Sequence, residues 1–398
     1  MIHKRYFTLY QHLHLILTMP PSEVDQLGRK HSIPKLREDE IAQLCHEFIE
    51  NMSDSPAVIE INVDGNDANS HSNQHATSAG QSFDDKQSIE NDSKPSKEND
   101  QKESNSQQQY AKYGNLPSVQ KINDLIIVGD IRGNFHSLIQ IFSIFGPPPY
   151  MRYLFIGDLI DGGNFSLEVL SLLFILKCMF HDYVYILRGS CEQHPCQTTR
   201  CFQDEIYTTY KTKKLVPEFL EAFRYLPIGA LLSNGVYVTH LQNLNEFHDV
   251  QKLMNTNLPI EIEPYAFNVD SQIREVKIID HDQLSLFAEE FGFTGLILGG
   301  SRRKFQAIFI NADQTQFFIS ASEPNCEGAV LKVYDEIIEP IKFINPPTIP
   351  RELAIIADVN QEKNSCYNIS SALGRRKIHT VKRIWNFSQI TNSILNSS

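Results

Sequence analysis

Three short apolar runs, each followed at once by a glycine or arginine-glycine and polar residues, constrain this chain more than any other feature. Leu125–Val128 (LIIV) runs into Gly129-Asp130, Tyr153–Ile156 (YLFI) into Gly157-Asp158, and Tyr183–Leu187 (YVYIL) into Arg188-Gly189-Ser190-Cys191-Glu192. Apolar helical stretches, Phe135–Phe145 and Leu167–Phe180, separate them. Continuous apolar runs of this length read as strands buried on both faces. Alternating with helices, they predict a βαβαβ unit with parallel pairing and right-handed crossovers. The polar residues after each strand then gather at one sheet edge, where open α/β sheets place their ligands.

The rest of the chain is organised around that unit. Residues 35–50 (KLREDEIAQLCHEFIE) set Ile41, Leu44, Cys45, Phe48 and Ile49 on one helical face. Asp54–Asn62 reads as a turn and a strand carrying Val58, Ile59 and Ile61. From Asp64 to about Ser118 the sequence turns to Asn, Ser, Gln, Asp and Lys. Such a stretch buries too little apolar surface to offset its ordering entropy, so a disordered insertion, passive or docking, is expected at 64–118. Ile206–Leu226 reads as helical, and Ala230–His240 as a hairpin around Asn234-Gly235. Further strands are expected at Gly295–Leu298, Ala307–Asn311, Gln316–Ser320 and Ala329–Tyr334. An α/β beginning thus passes into a β-rich second half. The expected organisation is an N-terminal extension (1–34), one domain (35–345) holding the insertion, and a tail (346–398) with a basic cluster at Arg375, Arg376 and Lys377.

Charge and cysteine usage narrow the function classes. Asp and Glu number 48 against 36 Lys and Arg, for a net charge of -12, a poor balance for neutralising nucleic-acid phosphates. No run of about 18 uncharged apolar residues is present, so no membrane-spanning helix is expected. Seven scattered cysteines, an odd number, argue for a reducing compartment, cytoplasmic or nuclear. Cys191, Cys196 and Cys201 are spaced unlike zinc ligands. The first eighteen residues are basic and then partly apolar, but Gln11, His12 and His14 interrupt the apolar core and no small-residue cleavage site follows. Met19 reads as a second possible start, with the stretch before it dispensable.

Asp130, Asp158 and His240 each stand at the end of an expected strand. Singly, each also reads as a turn, a helix cap or a structural residue. Together, two carboxylates and an imidazole at one sheet edge suit a divalent cation. Gly129-Asp130-Ile131-Arg132-Gly133-Asn134 resembles the GDxHGQ motif of phosphoprotein phosphatases, Gly157–Gly163 (GDLIDGG) resembles GDxVDRG, and Leu187–Glu192 (LRGSCE) resembles LRGNHE. Leu226–Ala230 and Ser320–Cys326 are similar to the LPxAA and SAPNYC segments, and His240 stands where the HGG histidine lies. The resemblance covers about residues 35–345 and is nearest to the type-1 Ser/Thr protein phosphatases. It implies a metallophosphoesterase-like α/β (α+β) fold, with a central β-sandwich flanked by helices.

The same resemblance shows where this chain departs. Of six implied metal ligands Asp130, Asp158 and His240 are kept, while Arg132, Ser190 and Ser301 stand at the other three positions. Cys191 replaces the general-acid histidine, whose orienting carboxylate is kept as Asp161. Gly162 replaces a phosphate-binding arginine. A guanidinium has donors and no lone pair to give a metal. At 4 Å and an effective dielectric of 20 it repels a unit charge by about 4 kcal/mol, and a dication by about twice that. Arg132 is therefore expected to ion-pair with Asp130 and Asp158. A cysteine-phosphatase route is not expected, because Gln197 and Phe202 stand where a Cys-x5-Arg loop from Cys191 or Cys196 needs arginine.

Three readings follow. The first is an inactive, partner-binding pseudophosphatase with no cofactor, engaging proteins or phosphoproteins. The second is a weak phosphatase with two divalent metals of the Mn, Fe or Zn class, using Asp130, Asp158, Asp161 and His240. The third is phosphate capture without hydrolysis, by Arg132, Arg188, Arg302 and Arg303. Ile337, Ile338 and Ile341 read either as core or as the lining of the docking groove the resemblance implies, with Pro340 lacking a backbone donor.

Overall fold

The computed structural model describes residues 13, 16–64, 123–193, 202–240, 250–261, 281–300, 307–321 and 324–358. They fall in one compact unit, Met1–Gly65 with Ile122–Leu373; the second, Asn66–Lys121 with Gly374–Ser398, lies outside the described residues. So do Ser301, Arg302 and Arg303, Cys196 and Cys201, the basic cluster at Arg375, and nearly all of the polar insertion.

Two sheets face each other. One has five strands in the order β12-β11-β3-β4-β5, formed by β3 (Leu125–Val128), β4 (Arg152–Phe155), β5 (Val184–Ile186), β11 (Glu327–Tyr334) and β12 (Ile337–Ile344). The other has six in the order β2-β6-β7-β8-β10-β9, formed by β2 (Val58–Ile61), β6 (Gly229–Leu232), β7 (Val236–His240), β8 (Gly295–Gly299), β9 (Ile308–Ile310) and β10 (Gln316–Ile319). The βαβαβ unit is as expected: β3, β4 and β5 pair in parallel, with α2 (Phe135–Phe145) and α3 (Ser166–Met179) between them. Ile127, Leu154 and Leu331 from the first sheet meet Ala230, Val238, Ile297 and Phe317 from the second in one buried cluster. The polar stretch after β2 therefore joins one sheet to the other.

Helices cover the five-stranded sheet. α1 (Glu38–Met52) buries Ile41, Leu44, Cys45 and Phe48, four of the five positions its periodicity nominates; Ile49 is half-buried and Met52 is buried as well. α3 has apolar residues around its whole circumference and is almost wholly buried, burying Glu168 among them. Phe48 stacks on Phe174 with ring centroids 4.0 Å apart. The single helix expected over 206–226 is two, α5 (Phe202–Tyr210) and α6 (Leu215–Arg224), after one short helical turn, α4 (Ser190–Gln193). Lys211, at φ 59, ends α5 in a left-handed conformation. α7 (Val250–Met254) and α8 (His281–Phe291) complete the helices.

Segments flanking 35–345 pack onto this frame. β1 (Ile33–Lys35) pairs in parallel with β13 (Ile356–Asp358). Leu13 and Leu17 are buried, and Met19 O accepts from Ser143 Oγ on α2, so the stretch read as dispensable contributes side chains to the packing. β12 is an edge strand, an element missed in the sequence. Ile337 and Ile344 are 51% and 66% exposed, and Pro340 lies opposite Leu331. An edge strand tolerates proline because its outer N–H groups have no ladder partner.

Candidate functional site

The site forms where both sheets end. Asp130 follows β3 and bridges to Ser320 after β10, Asp158 follows β4, and His240 closes β7 opposite Gly299 of β8. All three are buried, and one ligand atom from each lies within 4.8 Å of the others. The expected convergence of two carboxylates and an imidazole is therefore present.

Sharp backbone turns hold the loops at the strand ends together. Arg132, Asp158 and Asp161 adopt φ 48, 49 and 61, left-handed values uncommon for residues with a Cβ. Ile131 N and Arg132 N both donate to Asp158 O, and Gly163 N donates back to Arg132 O at 2.6 Å. Gly157, at φ 100, lies so close to Gly189 that a Cβ would run into the Gly189 amide nitrogen. Gly162, which the resemblance aligns with a phosphate-binding arginine, has φ 121, a backbone conformation that disfavours any side chain.

Arg132 spans the two carboxylates. Its Nε and Nη2 donate to Asp130 Oδ2 at 3.1 and 3.0 Å, and Nη2 donates to Asp158 Oδ2 at 2.9 Å. The remaining carboxylate oxygens are also engaged. Gly300 N donates to Asp130 Oδ1 at 2.9 Å, and Ser190 Oγ and Cys191 N donate to Asp158 Oδ1 at 2.9 Å each. His240 Nε2 lies 3.4 Å from Asp158 Oδ1 and 3.9 Å from Asp130 Oδ1, and neither ring nitrogen has a well-aligned hydrogen bond to a described residue.

The charges follow this geometry. Burial pushes the Asp130 carboxyl up, against the pull of Arg132. Burial acts the same way on Asp158, but His240, Arg132 and the Cys191 amide outweigh it and hold that carboxyl below the usual range. Burial lowers His240, while Asp158 and Asp130 raise it further, so its net shift is upward. The Cys191 thiol is pushed up by burial and then by Asp158 and Glu192, so it stays protonated. It is no activated nucleophile.

Glu192 supports the loops from below. It accepts from Asp158 N, Leu159 N and Gly189 N at 2.9, 2.7 and 2.8 Å. Burial, then Asp158, raises its carboxyl to about 7. Asp161 Oδ1 accepts from Phe202 N at 2.8 Å, at the start of α5. Arg188 is buried, donates Nη1 to Ile260 O at 3.0 Å, and lines a cleft with Gln193, Phe223 and Arg224. Among the described residues the phosphate-ring reading thus finds Arg132 on carboxylates and Arg188 on a carbonyl.

Among the described residues the donors do not fit a two-metal centre. With Arg132 in place the inner oxygens of both aspartates already accept a cationic donor. The two further positions that the resemblance assigns to ligands carry Arg132, which cannot ligate, and Ser190, whose hydroxyl is spent on Asp158.

Residues 124–295 match the calcineurin-like phosphoesterase family. The fold is that of a metallophosphoesterase. A stretch of 127 residues is 37% identical to the Serine/threonine-protein phosphatase PP2A-like PPG1 of Candida albicans, covering 32% of this chain and 30% of that protein. A protein serine/threonine phosphatase from Saccharomyces cerevisiae, described as similar to human phosphatase PP5, superposes with a TM-score of 0.52 at 15% identity, over 79% of this chain and 91% of that one. At that identity the superposition speaks for the metallophosphoesterase fold alone. Among the described residues no helix is long and apolar enough to cross a membrane.

Sequence reasoning missed one donor and an anchor. The Gly300 amide reaches Asp130 from β8, and no local pattern announces it. Glu192 closes the LRGSCE segment, so the motif holds it, but its role emerges only once the loops after β4 and β5 meet. Ser301 and Arg302 lie outside the described residues.

Proposed function

We propose that this chain is a pseudophosphatase: a non-hydrolytic relative of the Ser/Thr protein phosphatases that engages protein partners or phosphoproteins. The observation that carries it is the Arg132 guanidinium lying across Asp130 and Asp158, where a metallophosphoesterase would hold its cations. Two-metal hydrolysis relies on those cations to activate water and clamp the phosphoryl group. A general acid contributes about 10²–10⁴-fold, and here Cys191 offers a buried thiol in its place. Gly162 offers no guanidinium to the phosphate.

A second reading, a weak single-metal phosphatase, draws on the convergence of Asp130, Asp158 and His240 and on the His240 ring, whose nitrogens have no well-aligned hydrogen bond among the described residues. Hydrolysis of a phosphoserine peptide with millimolar Mn²⁺ separates the two. No turnover above buffer is expected. Turnover that disappears in Asp158→Asn would overturn the pseudophosphatase reading in favour of the second.

A further inference from the structure

Two buried carboxylates side by side repel each other and must be neutralised, by sharing a proton or by a cation. Asp130 and Asp158 are both fully buried, and each gives one oxygen to the same Arg132 nitrogen, at 3.0 and 2.9 Å. The guanidinium arrives from the solvent side, its side chain 38% exposed, on a residue held at φ 48. Two backbone bonds to the loop after β4, Arg132 N to Asp158 O and Gly163 N to Arg132 O, keep that conformation in register. Each of these guanidinium–carboxylate hydrogen bonds is charge-assisted, and such bonds are about twice as strong as neutral ones.

We propose that Arg132 is the resident cation of this pair: it makes the folded domain independent of divalent metal, and it covers a latent one-cation site built from Asp130, Asp158 and His240. Arg132 is then a positioning residue for the strand-end loops. A domain held together in this way is metal-independent whether or not it hydrolyses phosphate.

Thermal unfolding of the full chain tests this, with EDTA, millimolar Mn²⁺ or millimolar guanidinium added in turn. The wild-type Tm is expected to be the same in all three. Arg132→Met keeps the stem and removes the charge, and should lower Tm by about 5 °C or more. Mn²⁺ or guanidinium should restore most of that loss, and restoration by Mn²⁺ should vanish when Asp158→Asn is added. Arg132→Lys, which retains a cation, should stay within a few degrees of wild type.

A wild-type Tm raised by Mn²⁺ and unaffected by it in Asp158→Asn would overturn the proposal, because metal would then already reach the carboxylates. So would an Arg132→Met variant as stable as wild type, or failure of both Arg132 variants to fold with every cation, which would assign Arg132 a packing role. Phosphopeptide hydrolysis on the same samples keeps the outcomes apart. Mn²⁺ stabilisation without turnover overturns the resident cation and leaves the pseudophosphatase standing; turnover that persists in EDTA, with a Tm inert to Mn²⁺, does the reverse, and turnover that needs Mn²⁺ and Asp158 overturns both.

Discussion

At the scale of single residues, the site is a cluster of charges that the fold has already satisfied. Each aspartate oxygen accepts from a protein donor, and the donors come from three separate segments: Arg132, the adjacent Ser190 and Cys191, and Gly300. Glu192 does the same work in reverse, tying the amides of Asp158, Leu159 and Gly189 to one carboxylate. Buried donors left without a partner cost about 1–3 kcal/mol each. Glu192→Ala strands three at once, so a loss of about 3–5 kcal/mol is expected, less than the plain sum because the loops can relax. Urea unfolding of wild type and variant measures it; a change under about 1 kcal/mol would show that water replaces the carboxylate.

At the scale of elements, the segment after β12 acts as a strap. Asn345 is buried, Asn164 Nδ2 donates to Ile349 O, and β13 pairs with β1. Arg351 is the clasp. Its two terminal nitrogens donate to both oxygens of Glu168 at 2.7 Å, and Nη1 also reaches Glu205 and the Asn164 carbonyl. Phe165, the residue before α3, provides no side-chain cap, and Glu205 supplies one from α5 by accepting from Ser166 N and Leu167 N. Arg351 is 13% exposed and its partners are buried, so Arg351→Ala leaves two carboxylates without their cation. A loss of about 3–5 kcal/mol is expected. Hydrogen exchange should show β1 and β13 losing protection ahead of β3 and β4; uniform loss across all four would mean that the strap unfolds only with the core.

At the scale of the whole molecule, buried titratable groups set the response to pH. Burial raises Glu192 and Glu205 from 4.5 to about 7. Between those values the folded chain binds protons that the unfolded chain has released, so stability falls as pH rises through this window. His240, raised above 6.5, acts in the same direction, its contribution being complete at low pH and lost as pH rises through its folded value. Asp158 and His136 act oppositely: the contribution of Asp158 is lost only below 3.8, outside that window, while His136, lowered from 6.5 by burial, offsets part of the fall within it. The domain should therefore be more stable near about pH 5 than near about pH 8, by a few kcal/mol. Denaturant midpoints at the two values check the sign, and Glu205→Gln should flatten the slope.

The order of the βαβαβ strands, the hairpin at Asn234-Gly235 and the convergence of Asp130, Asp158 and His240 could all be read from the chain, because each depends on local periodicity or on residues placed directly at strand ends. The charge of Arg132, which rules it out as a metal ligand, was equally legible. Tertiary structure decided the rest. The division of 206–226 into α5 and α6 turns on the left-handed Lys211, a conformation no propensity favours there. The edge position of β12 turns on which neighbour it pairs with. The Gly300 amide, Glu192 beneath the loops and the Arg351 clasp all join residues far apart in sequence, where pairing is set by three-dimensional closure and leaves no periodic trace in the chain.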